Sequence, residues 1–141
     1  MFVLASQEKF VMRPCTRLVS VFLALVLVIP QAKAGEKVAM PNMLDGSWSS
    51  EVDFSWGGNL TIRTKNSDGN AIAGDIDFGN SACPGLQPFT GSRNADGSVT
   101  LTSDLGGRCG AVRVTLKQAG DEWRGRYVAG YPDEGTVKLA P

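Results

Sequence analysis

The sequence predicts an all-β domain built as an eight-stranded antiparallel up-and-down barrel, with a β-sandwich as the alternative. From Gly46 to Leu139, apolar and polar residues alternate in short runs, as in strands with one buried face. Gly-rich turns separate these runs at regular intervals, which is typical of sandwiches and barrels. Most of these turns are short, which favours a meander that closes on itself, and eight strands are enough for closure.

The first 34 residues are predicted to be a secretory signal peptide that is not part of this fold. Two arginines precede an apolar run at 18–29, and Ala32-Lys33-Ala34 matches the small-x-small cleavage pattern. That run is shorter than the roughly 20 residues that a membrane-spanning helix needs. A start at Met12, which would leave residues 1–11 as a start-site artefact, stays open. The expected location is therefore periplasmic or secreted.

Cleavage after Ala34 would leave one domain of 107 residues, numbered 35–141. Residues 35–44 show no strand-like period and are predicted to be a flexible lead, so the barrel domain is expected over 45–141. Cleavage removes four of the 14 basic residues and one of the 14 acidic residues, which changes the formal net charge from zero to about −3. Nucleic acid is not an expected partner, because it requires a basic surface.

The first strand is predicted over 48–56, where Trp48, Val52 and Phe54 alternate with polar residues. The other seven strands are predicted at about 59–65, 71–78, 87–93, 98–103, 111–118, 122–129 and 135–140. Tight-turn sequences separate strands two and three, four and five, and six and seven: 67–70, 94–97 and 119–121. Gly74 and Gly125 fall at inward positions, where glycine relieves crowding in bent strands.

The inward side of this alternation gives the predicted core. It comprises Trp48, Val52, Leu60, Ile62, Ile72, Ile76, Phe89, Val99, Leu101, Val112, Val114, Leu116, Tyr127, Val137 and Leu139, and the aromatic residues Phe54 and Trp123 are also expected there. The outward side is charged, with residues such as Arg63, Asp75 and Arg113. Such residues would be costly against lipid. After signal cleavage the domain is therefore not expected to span a membrane.

Cys83 and Cys109 remain after cleavage, since Cys15 lies in the predicted signal peptide. An even pair in an exported domain predicts a disulfide. Two metal-ligating thiolates are not favoured, because the sequence has no histidine and no further cysteine to complete a site. No metal and no cofactor are predicted.

The predicted meander sorts the loops into two ends. Three tight polar turns share one end, and four longer loops share the other, including those that carry Cys83 and Cys109. The longer loops of a rigid scaffold are where binding sites usually lie, and barrels bind at their mouths. The candidate ligand-binding residues are therefore Trp56, Arg108 and Tyr131.

Catalysis is not expected. The sequence has no histidine to act as a general base near neutral pH. Its serines have no evident activating partner, and Asp75 and Asp77 alternate outward as solvated carboxylates do rather than as a glycosidase pair.

Gly46-Ser47-Trp48 resembles the Gly-x-Trp opening of calycin barrels, the lipocalins and avidins. The segment 44–48 also resembles the first strand of the small periplasmic inhibitors of serralysin-type metalloproteases. In that family the N-terminal lead enters the protease cleft, and here the lead would be 35–43. Family members carry an early cysteine near the second strand, whereas the first mature cysteine here is Cys83.

Three functions therefore stay open. The first is a non-catalytic module that binds a small or extended ligand at the loop-rich mouth, and it predicts an open apolar cavity that reaches Trp56 and Tyr131. The second is a protease-inhibitor-like protein whose lead engages an exported partner enzyme, and it predicts a filled barrel and a disordered lead that becomes ordered on its partner. The third is an envelope structural protein with no ligand.

Overall fold

The computed structural model describes residues 39–83, 85–130 and 132–141. The predicted signal peptide, the beginning of the predicted lead and Tyr131 lie outside the described residues. Eight strands form one closed barrel in chain order: β1 (Met43–Ser50), β2 (Gly57–Asp68), β3 (Ala71–Phe78), β4 (Gln87–Arg93), β5 (Val99–Asp104), β6 (Ala111–Ala119), β7 (Glu122–Ala129) and β8 (Asp133–Ala140).

Each strand pairs antiparallel with its neighbours, and β1 pairs with β8 to close the barrel. Trp48, for example, lies opposite Gly58 on β2 and Val137 on β8. The predicted fold class is confirmed, and closure removes the free sheet edges that a sandwich would have to protect. Among the described residues, no helix has the length and apolar character needed to cross a membrane.

The barrel interior is filled by the alternating apolar residues that the sequence predicts. Of the predicted core, all but Val52 and Phe54 are buried. The buried set also includes Met40, Leu44, Phe78 and Leu105. Inward-facing Gly74 and Gly125 are needed where they stand, because a Cβ there would collide with the backbone carbonyls of Arg63 and Thr115, respectively.

The first strand lies earlier in the chain than predicted. It starts at Met43 and ends at Ser50, so Val52 is 61% exposed and Phe54 is 85% exposed. The reason is local hydrogen bonding: Ser50 Oγ accepts from the N–H groups of Val52 and Asp53, at 3.1 and 3.0 Å. A serine side chain that accepts from backbone N–H groups two and three residues later competes with the hydrogen bonds of the strand ladder. The apolar alternation continues past Ser50, but the strand does not.

The connections divide the barrel into two ends, and three of the four connections at the mouth are long, as predicted; the β7–β8 connection is shorter than expected, with only residues 130–132. The tight-turn end carries the β2–β3, β4–β5 and β6–β7 turns. The mouth carries the β1–β2, β3–β4, β5–β6 and β7–β8 loops. The predicted disulfide is confirmed at the mouth: Cys83 in the β3–β4 loop bonds Cys109 in the β5–β6 loop, with Cα atoms 6.1 Å apart.

Candidate functional site

A cleft of about 860 Å³ opens at the mouth of the barrel. Its described lining comes from strand ends and from three of the mouth loops, and consists of Trp48, Ser55, Trp56, Gly57, Phe78, Asn80, Ser81, Ala82, Leu105, Arg108, Cys109, Val112, Tyr127, Ala129 and Asp133. A volume of this order is typical of clefts that hold small molecules.

Three aromatic rings form the floor of the cleft. Trp48, Phe78 and Tyr127 contact one another edge to face, with ring centroids 5.5 to 6.0 Å apart. Each ring belongs to a residue near the mouth end of its strand and points inward. Trp48 Nε1 donates to the Gly79 carbonyl at 2.9 Å, so the indole N–H is satisfied within the protein. The floor therefore offers apolar surface in fixed orientations.

Asp133 is hydrogen-bonded both to Tyr127 of the floor and to Ser50 at the end of β1. Its Oδ1 accepts from Ser50 Oγ at 2.5 Å, and its Oδ2 accepts from Tyr127 Oη at 2.9 Å. Burial raises the pKa of the Tyr127 phenol, and the hydrogen bond to Asp133 raises it further. Tyr127 is therefore neutral and serves as a donor that holds the Asp133 carboxylate in place.

The β1–β2 loop carries Trp56 on the rim, where it is half exposed. Ser50 N donates to the Trp56 carbonyl at 3.0 Å, and Trp56 N donates to the Asp53 carbonyl at 2.9 Å. Asp53 also accepts from Ser55 Oγ at 2.6 Å, a hydrogen bond that lowers the pKa of the Asp53 carboxyl. These bonds close the loop on itself, so Trp56 is presented by an ordered turn.

The β3–β4 loop joins its neighbours on both sides. Asn80 Nδ2 donates to the Gly57 carbonyl at 2.8 Å, which ties it to the β1–β2 hairpin. The disulfide from Cys83 to Cys109 ties it to the β5–β6 loop. In that loop, Leu105 N donates to the Gly110 carbonyl at 2.9 Å and Cys109 N donates to the Gly106 carbonyl at 3.1 Å. Three of the four mouth loops are therefore cross-braced.

The structure brings two of the predicted site residues to one cleft. Trp56 and Arg108 both line it, whereas Tyr131 lies outside the described residues. Trp48 was expected in the core, Phe78 falls on the inward side of the same alternation, and Asp133 was expected at the mouth end but was not among the predicted binding residues; all three line the cleft. Their position at the mouth end of a strand could have indicated them. The alternation alone does not distinguish a residue that lines the cleft from one in the filled core.

The chemistry of this lining is mainly that of apolar contact. Aromatic and aliphatic side chains form the floor, and a few polar groups stand at the rim. Among the described residues, no cluster of three or more His, Cys, Asp or Glu side chains could hold a metal ion.

Comparisons with protein-family models, with curated proteins and with solved structures find no match to this chain. The eight-stranded antiparallel architecture is consistent with a calycin-like barrel.

Proposed function

We propose that this domain is a non-catalytic binding module that takes a small apolar ligand in the cleft at its mouth. The observation that carries the proposal is the cleft of about 860 Å³ with an aromatic floor, at the end of the barrel where the longer loops cluster. Burial of apolar ligand surface would contribute about 25 cal/mol per Å² before the costs of association.

The mouth is prepared for binding in a way that reduces the ordering cost. Asn80 and the disulfide connect three loops, and Asp133 is held by two hydroxyl donors. A ligand entering such a cleft immobilises few additional groups, so more of the contact energy is expressed as affinity. An exported compartment, with which the disulfide is compatible, would expose the mouth to ligands outside the cytoplasm.

The proposal is tested by titrating the purified chain with N-phenyl-1-naphthylamine, a neutral apolar fluorophore. Binding should raise the emission with saturation at one equivalent. Trp56→Ala and Tyr131→Ala should each weaken binding by roughly fivefold, which corresponds to the loss of about 1 kcal/mol of aromatic contact. Asp68→Asn, Asp96→Asn and Asp121→Asn, all at the tight-turn end, should leave it unchanged. If the tight-turn variants weakened binding and the mouth variants did not, the site would lie at the tight-turn end and the proposal would be wrong.

A second pair of variants fills the cleft instead of trimming it. Ala129 lines the cleft, while its neighbour Val128 faces outward and is 53% exposed. Ala129→Phe should abolish probe binding by occupying the cleft, and Val128→Phe, which also introduces a phenyl ring, should not. Equal effects of the two variants would show that the probe binds the outer surface.

The inhibitor-like alternative stays a prediction. It needs the lead to enter a protease, and the described end of the lead is attached to the barrel: Met40 is 5% exposed, and Thr64 N donates to the Asn42 carbonyl at 2.8 Å. This attachment favours the mouth over the lead as the binding element. Stoichiometric inhibition of a serralysin-type metalloprotease by a chain that does not bind the probe would favour the inhibitor instead. If the chain neither binds the probe nor inhibits the protease, the structural role is favoured.

A further inference from the structure

The described lining of the cleft includes two charged residues, Arg108 and Asp133, which differ in their hydrogen bonding. Both carboxylate oxygens of Asp133 accept hydrogen bonds, from Ser50 and Tyr127. Arg108 makes no ion pair or side-chain hydrogen bond with any residue that the structure describes. Within the described lining, the charge that has no partner is therefore positive.

The other carboxylates near the mouth outnumber its basic residues, but those that the structure describes have partners of their own. Four accept a hydrogen bond at 2.6 to 2.9 Å: Glu51 from Arg126, Asp53 from Ser55, Asp77 from Gly85 and Asp104 from Gly106. The fifth, Glu134, forms an ion pair with Arg126 at 3.9 Å. Their charges still make a cation the competing class of ligand. Among the described residues, this leaves Arg108 as the charged group of the cleft lining without a counter-ion.

Arg108 lies across the mouth from Trp56. In a closed barrel of eight strands, the four mouth loops follow one another at about quarter turns, so the β5–β6 loop faces the β1–β2 loop. The disulfide at Cys109 fixes the backbone next to Arg108. A ligand that spans the cleft can therefore contact an aromatic rim on one side and a guanidinium on the other.

We propose that the ligand of this cleft is an apolar molecule with one anionic group, whose anion binds Arg108 while its apolar body lies on the floor of Trp48, Phe78 and Tyr127. This inference rests on the proposed function. A guanidinium presents five donors in a planar fork that fits carboxylate and phosphate oxygens. The aromatic floor favours an uncharged body. The site therefore selects for amphipathic molecules with a negative end.

The test uses four ligands with the same twelve-carbon chain, which keeps the apolar contribution constant. Dodecanoate, dodecyl phosphate, dodecanol and dodecylamine compete with N-phenyl-1-naphthylamine below their aggregation limits. The two anions should displace the probe at about five- to tenfold lower concentration than dodecanol, a modest gain because Arg108 is exposed and salt screens such contacts. Dodecylamine should be the weakest. An amine that binds best, or anions that equal the alcohol, would overturn the inference.

Charge variants separate a specific contact from the general field. Arg108→Gln should remove the advantage of the anions and leave dodecanol unchanged, and Arg108→Lys should keep part of it, because lysine retains the charge without the fork. Arg113→Gln is the matched control, since Arg113 is an exposed cation on the outer face of β6. An equal loss in Arg113→Gln would overturn the inference. A chain that binds the neutral probe without preferring anions refutes this inference alone, while a chain that binds no probe refutes the proposed function.

Discussion

The two ends of this barrel are built on the same strands but differ in what fills them. Toward the tight-turn end, Leu44, Leu116, Trp123 and Leu139 are buried at 1% exposure or less, and the strands are joined by short polar turns. Toward the mouth, three aromatic rings form the floor of an open cleft, and three longer loops contribute to its lining.

The difference shows how a small barrel can divide its tasks. Eight strands enclose an interior that side chains can fill or that can hold one small ligand, and here each half of the barrel takes one of these options. Stability should therefore depend mainly on the filled half and on the disulfide, while the mouth should tolerate substitutions at its rim. The following changes test that division, from the largest expected effect to the smallest.

Trp123→Ala should produce the largest loss of stability. Trp123 is 1% exposed, and its removal leaves a large cavity in the filled half, which costs about 3–5 kcal/mol. Chemical denaturation followed by circular dichroism gives the free energy of unfolding. Trp56→Ala is the matched control at the mouth and should cost about 1 kcal/mol or less. If both tryptophans proved equally costly, the division between the two ends would be wrong.

Replacing both cysteines, Cys83→Ala with Cys109→Ala, should lower the free energy of unfolding by about 3.5 kcal/mol in the chain-entropy model. The pair encloses a loop with a sequence separation of 26 residues. The same variant should weaken ligand binding, because it removes the brace between two mouth loops. Thermal unfolding with and without reductant measures the effect in the parent chain, and the variant itself should not respond to reductant.

Tyr127→Phe should cost about 1–2 kcal/mol, because it removes one of the two donors to Asp133 and keeps the aromatic floor. Ser50→Ala removes the other donor and also the acceptor for Val52 N and Asp53 N. It should therefore cost at least as much and should loosen the β1–β2 loop. Hydrogen exchange at 51–56 distinguishes the two variants, and equal protection in both would contradict the role given to Ser50.

The Tyr127 phenol predicts a loss of stability in alkali. Its pKa is raised in the folded protein, whereas an unfolded tyrosine ionises near pH 10. Above that pH the unfolded state releases a proton that the folded state keeps, so stability falls as the pH rises from about 10 toward the folded pKa. In a Tyr131→Phe chain Tyr127 is the sole tyrosine, and its phenolate absorbance should appear well above pH 10. A normal titration near pH 10 would contradict its burial.

Phe54→Ser should have the smallest effect on stability. Phe54 is 85% exposed in the β1–β2 loop, so its removal should change the free energy of unfolding by about 0.5 kcal/mol or less. Phe89→Ser, at a position that is 2% exposed, is the contrasting change and should unfold much of the population. A large effect of Phe54→Ser would support the sequence prediction that this residue belongs to the core.

The sequence predicted most of this fold because turn residues bound the seven strands after β1, most of which alternate apolar and polar residues, although β2 contains a register shift between Thr64 and Asn66. β3, β4 and β7 fall where the alternation puts them, and the cysteines predicted to pair do so. The first strand failed because Val52, Phe54 and Trp56 continue the alternation into a loop. Ser50, Asp53 and Ser55 carry the opposing signal, since short polar side chains bond nearby backbone in turns.

The candidate site was predicted in part. The end of the barrel followed from loop length, and Trp56 and Arg108 both line the cleft that is found there. The floor was not predicted, because Phe78 and Trp48 alternate inward in the same way as the residues of the filled half. Whether an inward residue meets a neighbour or an open cleft depends on packing across the barrel, which no local pattern encodes.

The closure of β1 against β8 has a practical consequence. Asp45 pairs with Ala140, so both ends of the barrel chain emerge side by side at the tight-turn end. A fusion partner, a surface tether or a short permutation linker joined there leaves the opposite end unobstructed. Attached at either of these two strand ends, the domain would present its cleft on the side away from the attachment.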